Sequence, residues 1–430
     1  MKLNQRRDFI KLFSCAASGI AVSPFFDMTY ANELFDQTKK IANLSPFDAA
    51  KDEDFWGYIK QTYTVSNTII NLNNGGVSPQ PKVVQDAFER FNRMSNEAPS
   101  YYMWRILDKG REPLRDKLAQ LAGCSSEEIA INRNTTEALE TIIFGLNLKK
   151  GDEVVVSNFD YPNMMNSWKQ RAKRDGVVLK VVKLDVPMEN EEEIVSRYEN
   201  AITSKTKIVH VTHMINWTGQ VLPAKAITKM AHNKGAEVIV DGAHSFAHID
   251  YNISDINCDY FGTSLHKWLC APFGSGLLYV KKEKIEKLWT MFSNDNPNSN
   301  DIRKFENLGT RSFPTEQAIG NAIDFHKSIG IKRKEERLRY LKNYWMEKIK
   351  DLPDVILYTS FTSEYSCALA TFGIKGKDPI ELSRSLFSKY KIHTTNINHE
   401  GVKGVRVTPH VYTTLYDLDR LVKAIKELAL

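Results

Sequence analysis

Cysteine is scarce in this chain, five in 430 residues. Cys124, Cys258, Cys270 and Cys367 show no metal-type spacing, so no metal site is expected. Charge of one sign is not in excess either. Lys and Arg number 58 against 52 Asp and Glu, and a net charge of +6 is too mild to imply nucleic acid. The longest apolar stretch, Leu12 to Phe26, falls short of the ~20 apolar residues a spanning helix needs, which argues against a stable membrane anchor. No internal repeat or low-complexity segment stands out. What remains is the composition of a soluble globular enzyme, long enough for two or three domains by the soft prior of roughly 150 residues each.

The informative residues are Asp241-Gly-Ala-His244 and Ser264-Leu-His-Lys267. Ala236-Glu-Val-Ile-Val240 is a β-branched run ending at Asp241, and ligands of open α/β sheets sit just beyond the carboxyl ends of strands. Lys267 falls on the loop before Gly274-Ser-Gly-Leu-Leu-Tyr-Val280, which reads as the next strand. Alone, Asp241 would be a turn cap and Lys267 a surface lysine. Together they match the needs of pyridoxal 5'-phosphate, whose aldehyde takes a lysine amine and whose ring nitrogen is kept protonated by a carboxylate.

Further pieces fall at other strand ends. Asn132-Arg-Asn-Thr135-Thr136-Glu137 precedes a helical run, with Thr135 or Thr136 as candidate cap and a free helix N-terminus suited to a phosphate. Glu153-Val-Val-Val156 leads to Tyr161-Pro-Asn163, placing an aromatic ring where it can stack on a pyridine. Lys207-Ile-Val-His-Val-Thr212 leads to Asn216-Trp217-Thr-Gly219, where the Asn216 amide can meet a phenolic oxygen.

Thr135-Thr136, Tyr161-Pro-Asn163, Asn216-x-x-Gly219, Asp241-x-x-His244 and Ser264-x-His-Lys267 occur in one order, and in that order the chain resembles the class V aminotransferase superfamily of fold-type I pyridoxal phosphate enzymes. The opening Asn71-Leu-Asn-Asn74-Gly75-Gly76, and Tyr-Pro in place of the usual stacking histidine, look most like its isopenicillin N epimerase-like branch. The resemblance implies Lys267 as the cofactor-holding lysine and proton carrier, Asp241 at the ring nitrogen and Tyr161 on the ring. It implies Thr136, Ser264 and His266 at the phosphate with Thr135 close by, and Asn216 and His244 at the ring hydroxyl. Thr310, in Gly309-Thr310-Arg311, resembles the position that reaches the phosphate from a neighbouring subunit, so a homodimer is expected.

For the substrate, Arg406 in Gly404-Val-Arg406-Val-Thr-Pro409 is the candidate clamp on an α-carboxylate, since a guanidinium fork matches a carboxylate bidentately. An ion-paired strand arginine is the plain alternative. Asn74 and Gly75 are expected near the same carboxylate, glycine allowing close backbone approach. Tyr101, Tyr102 and Arg105 are weaker candidates. Cysteine desulfurases of the superfamily carry a nucleophilic cysteine shortly before this arginine. Here His393 to Lys403 contains none, and Cys367 reads as buried in a strand, so desulfurase chemistry is disfavoured. Trp217 suggests an apolar pocket wall.

Asn4-Gln-Arg6-Arg7-Asp-Phe9-Ile10-Lys11 resembles the twin-arginine export consensus, with Thr29-Tyr-Ala31 as a small-residue cleavage site. The expectation is a folded, cofactor-loaded enzyme exported to the periplasm by the twin-arginine machinery. Residues 1–31 would be the signal and 32–70 an N-terminal arm with a helix near Asp52 to Thr62. Residues 71–313 would form an α/β large domain with a mostly parallel sheet wrapped by helices, and 314–430 a helical connection, from Pro314 to Lys350, plus a smaller α+β domain. The basic clusters Lys281 to Lys287 and Lys332 to Arg339 read as solvated helix faces. The expected activity is that of a transaminase or epimerase on an amino acid or amino-acid-like substrate, through an external aldimine. The alternatives are C–S lyase or desulfurase-type chemistry, and a non-catalytic binding protein of the cell envelope.

Overall fold

The β-branched runs pair into one sheet whose strand ends gather the candidate residues. The computed structural model describes residues 36–430, so the twin-arginine stretch and its cleavage site lie outside the described residues. Strand β1 (Ile70–Asn71) is followed by β2 (Ile129–Asn132), β3 (Glu153–Ser157), β4 (Val178–Val182), β5 (Thr206–Thr212), β6 (Glu237–Asp241), β7 (Tyr260–Ser264) and β8 (Gly276–Val280). The seven strands β2 to β8 form a sheet in the order β2-β8-β7-β6-β5-β3-β4. All run the same way except β8, which is antiparallel to both neighbours. The carboxyl ends of β2, β3, β5, β6 and β7 therefore open onto one edge.

Side-chain alternation explains why the runs are apolar throughout rather than every second residue. Val155, Val209, Val238 and Val240 pack into one core with helix Phe313–Ile329. Val154, Val156, Ile208 and Ile239 pack into another with helix Thr135–Gly145. Both faces of a parallel sheet are covered, so both sets of positions must be hydrophobic.

The C-terminal part is built on β9 (Val355–Leu357), β10 (Ala370–Ile374), β11 (Ile392–His393), β12 (Thr395–His399) and β13 (Val402–Val407). Four of these make an antiparallel sheet in the order β12-β13-β10-β9. β11 instead pairs in parallel with β1, tying the chain on either side of the large sheet together. Helices Pro379–Tyr390 and Leu415–Ala429 share a core with this sheet. In the N-terminal region, Glu53–Gln61 is a helix capped by the Asp52 carboxylate, close to the range expected.

Two expectations change. The helix foreseen from Pro314 to Lys350 is two helices, Phe313–Ile329 and Ile331–Glu347, parted at Gly330, whose φ of +90° suits a residue without Cβ. The basic cluster at 332–339 is not simply a solvated face. Lys334 and Arg337 are buried, and so is Lys342 a turn further on. Arg337 meets Glu53 and the Ala50 carbonyl, and Lys342 meets the Ser360 carbonyl and the Ser366 hydroxyl. Lys281 to Lys287 contributes only a single 3-10 turn, Lys282–Lys284. No helix of the described residues is long and apolar enough to cross a membrane.

Candidate active site

Asp241 is the last residue of β6 and is 3% exposed. Its carboxylate accepts one backbone hydrogen bond, from Ala243 at 2.9 Å. Burial pushes its pKa up, and the Ala243 N–H works against that rise. Lys267 follows the end of β7. Its Nζ lies 3.3 Å from Nε2 of the buried His244. Burial brings the amine down to about 8, with Asp241 opposing the fall and Arg406 adding to it. Burial also holds His244 well below the ordinary histidine range, so its ring is neutral beside the Lys267 amine. A lysine whose amine titrates near neutrality can serve as both nucleophile and base.

The helix at Thr135–Gly145 is capped by neither threonine, contrary to expectation. Asn134 caps it, its side chain accepting from Glu137 N–H. Thr135 instead turns to the end of β7, its amide donating to Ser264 Oγ at 2.9 Å and the two hydroxyls lying 2.7 Å apart. The Thr136 hydroxyl is partly exposed and forms no hydrogen bond among the described residues. His266 has a buried Nδ1 without a partner, and burial brings its ring down to about 4. The helix start thus comes together, through Thr135, with Ser264, which stands three residues before Lys267 in the chain.

Asn216 lies beyond β5, 6% exposed, with its side-chain oxygen buried and unpartnered. Its carbonyl accepts from Arg406 Nη1 at 2.8 Å, bringing β13 of the C-terminal sheet to this edge. Arg406 Nη2 donates to Asn73 Oδ1 at 3.0 Å, and its buried Nε has no partner. Arg406 makes no ion pair among the described residues, unlike Arg115, which grips Glu306 through both nitrogens of its fork. Burial brings the Arg406 guanidinium down to about 10, with only the Tyr161 phenol opposing.

Gly75 lies against that guanidinium. A Cβ there would stand 3.0 Å from Thr408 Cγ2 and 3.5 Å from Arg406 Cζ, so glycine is what permits the approach. Asn74 is fully buried, and its amide is spent on the scaffold. It donates to the Thr408 carbonyl at 2.8 Å and accepts from the Tyr412 hydroxyl at 2.6 Å. Asn73 is the side chain of this loop that touches Arg406, a residue the sequence reading passed over because three asparagines in Asn71 to Asn74 look alike.

Tyr161 occupies the position before helix Pro162–Asp175 and is 40% exposed. Thr310 is exposed, between Glu306 and the helix at Phe313, and meets none of the other candidates within the chain. Tyr101 to Arg105 form a helical stretch on the surface, with Tyr101 56% exposed. Another contact escaped the sequence reading. Trp217 stacks on His399 with ring centroids 4.4 Å apart and planes 19° apart. His399 Nε2 donates to the Asn158 carbonyl at 2.8 Å, next to the segment that carries Tyr161. The stretch that precedes Arg406 is no loose loop but the hairpin β12–β13, turning at Glu400 and Gly401, both at positive φ.

Asp241, Asn216 and Arg406 are thus buried and Lys267 and His266 half-buried at one edge of a sheet, with Asn216 Oδ1, His266 Nδ1 and Arg406 Nε left without partners. They suit a cofactor with a ring nitrogen, a phenolic oxygen and a phosphate. The aminotransferase class V family model matches residues 70–421. The chain belongs to this family. Pyridoxal phosphate is accordingly its cofactor, and the fold is that of the fold-type I enzymes. No group of three or more His, Cys, Asp or Glu among the described residues could hold a metal ion.

Among curated relatives, the chain is 28% identical over 394 residues to isopenicillin N epimerase of Amycolatopsis lactamdurans, covering 87% of this chain and 98% of that one. It is 29% identical over 343 residues to a probable cysteine desulfurase of Synechocystis sp., covering 74% of this chain and 80% of the relative. The solved apo structure of cysteine desulfurase from Thermococcus onnurineus NA1 superposes with a TM-score of 0.75 at 23% identity, covering 88% of this chain and 98% of that one.

Proposed function

We propose that this class V enzyme acts on the α-carbon of a free amino acid or amino-acid-like amine, as a transaminase or epimerase. Arg406 receives the α-carboxylate and Lys267 carries the proton. The observation that carries this reading is the buried, carboxylate-free Arg406, two of whose nitrogens are oriented by Asn216 and Asn73 while Nε stays unpartnered. A buried charge left so suits a ligand carboxylate better than it suits the empty protein.

Bound pyridoxal phosphate supplies the electron sink for the carbanion left when the Cα proton departs. The chain's own residues do the rest. Asp241 would keep the ring nitrogen protonated, Tyr161 would cover the ring, and the start of helix Thr135–Gly145 with Ser264 and His266 would receive the phosphate. Lys267, with an amine near neutrality beside neutral His244, takes the Cα proton and returns it.

Against desulfurase chemistry stand the hairpin and the cysteines. The segment before Arg406 is a paired β-turn without a thiol, and Cys367 is fully buried with its thiol pushed up to about 12 by burial. A thiol in that state is neither accessible nor ionised enough to take a sulfur atom from a substrate. The four cysteines among the described residues are all free.

The reading extends to a homodimer in which exposed Thr310 faces the neighbour's phosphate, and to twin-arginine export to the periplasm through Arg6 and Arg7. The test is to mix purified holoenzyme with L- and D-amino acids in the absence of any keto acid. Lasting conversion of the cofactor to its amine form identifies a transaminase. An unchanged cofactor with inverted amino acid in solution identifies an epimerase. Release of sulfide or of another Cβ group would point to lyase chemistry, and borohydride labelling at a lysine other than Lys267 would overturn the site.

A further inference from the structure

Behind the turn that carries Lys267 lies a buried lysine. Lys334, 3% exposed, reaches from helix Ile331–Glu347 and donates to the carbonyl of Trp268, the residue after Lys267. Its Nζ is also 3.3 Å from His326 Nδ1. Unlike Arg337 on the same buried row, it has no carboxylate partner among the described residues. Burying an amine this way costs stability, so its contacts are worth asking about.

The turn it touches is held under strain. Cys270 has φ of +59°, an uncommon value for a residue with a Cβ. The turn closes through Cys270 N–H on the Lys267 carbonyl at 3.2 Å and Ala271 N–H on the Leu265 carbonyl at 3.1 Å. The Trp268 indole stacks on His248, with centroids 3.6 Å apart, and on His410. His248 Nε2 accepts from Ala368 N–H at 3.0 Å, so its proton is on Nδ1, which donates to the His244 carbonyl at 2.7 Å. His244 in turn is the residue beside Lys267 Nζ. One platform therefore supports both Lys267 and its imidazole neighbour.

We infer that Lys334 is a positioning residue for Lys267, its grip on the Trp268 carbonyl fixing the strained turn from which the Lys267 side chain projects. The inference rests on the reading of Lys267 as the cofactor-holding lysine. The groups facing Lys334 do not supply an alternative anion. Burial keeps His326, His248 and His410 uncharged and raises the Cys270 and Cys367 thiols; of the charged side chains around this cluster, Lys327, Arg339 and Lys342 are cations, and the Glu335 carboxylate is paired with Arg339. With Lys334 brought to about 8 by burial, the amine remains a donor to the carbonyl in either protonation state.

The test compares native holoenzyme with Lys334→Met, which removes the donor, and Lys334→Gln, whose shorter amide does not reach the carbonyl. Two readouts are taken: amide hydrogen exchange of the peptide spanning residues 265–271, and the pH midpoint of the cofactor's visible absorption. Exchange in that peptide is expected to rise about tenfold, the effect of losing one hydrogen bond of ordinary strength, while exchange at the β3–β4 edge stays native. The absorption midpoint is expected to move with it. Native exchange and a native midpoint in either folded variant overturn the inference, and Lys334→Gln serves if Lys334→Met does not fold. Borohydride labelling separates the premises: label on another lysine overturns the reading of Lys267, whereas label on Lys267 with unchanged exchange overturns only the role of Lys334.

Discussion

Replacing Arg406 by methionine is expected to leave the cofactor-free protein about as stable as before while abolishing its grip on carboxylates. Burial lowers the guanidinium to about 10. At about 1.4 kcal/mol per pKa unit, that fall represents a cost of about 3 kcal/mol to the unliganded protein. The two hydrogen bonds to Asn216 and Asn73 return about 1.5 kcal/mol each. Gain and loss nearly cancel, so Arg406→Met is expected within about 1 kcal/mol of native in urea unfolding. Arg115→Met is the control. It takes one of two guanidinium partners from the buried Glu306, which keeps Arg111 and the Ile131 N–H, and is expected to cost about 2 to 3 kcal/mol. Calorimetric binding of a small amino-acid carboxylate is expected to weaken roughly 10- to 100-fold in Arg406→Met, the worth of a charge-assisted pair. If Arg406→Met instead loses stability like Arg115→Met and binds carboxylates unchanged, Arg406 is a structural arginine and the reasoning fails.

Asp241 gives a pH-dependent prediction. Its folded pKa is raised by burial, so its contribution is fully present below the ordinary carboxylate range and is lost as pH rises through the raised folded value. The thermal midpoint of the cofactor-free native protein is expected to fall across that window relative to Asp241→Asn, and coincident pH profiles would refute the assignment. Gly219, between Asn216 and the C-terminal sheet, has φ of +78°, and a Cβ there would meet the Leu369 carbonyl oxygen at 2.0 Å. Gly219→Ala is expected to cost more than about 2 kcal/mol in urea unfolding, through strain and displaced backbone together.

The strands were easier to read from the sequence than the contacts that link them. Asp241, Tyr161 and Asn216 could be singled out because each follows a β-branched run, and Lys267 because it ends Ser264-Leu-His-Lys267 at the close of β7; a parallel sheet sends such ends to one edge. Arg406 was legible as a residue but not as unpaired, since pairing is a property of neighbours far along the chain. The cap at Asn134 was missed because Thr135 and Thr136 are equally good caps by type, and only the nearness of Ser264 draws Thr135 away. The buried row of Lys334, Arg337 and Lys342 reads like a solvated face because mixed charges at helical spacing look the same whether water or carbonyls receive them. The Trp217–His399 stack depends on a hairpin docking across two sheets, a long-range event with no local signature.

The pairing of β1 with β11 has a consequence for how the protein is made. Ile70 and Asn71 leave the ribosome long before their partners Ile392 and His393. The neighbouring helix Glu53–Gln61 likewise waits for Arg337 to cover Trp56. The large sheet can assemble in order of synthesis, but β1 stays unpaired until β11 has emerged. A chain cut short before residue 392 therefore announces itself through an unclothed β1, so the arrival of one strand is read out at another far upstream.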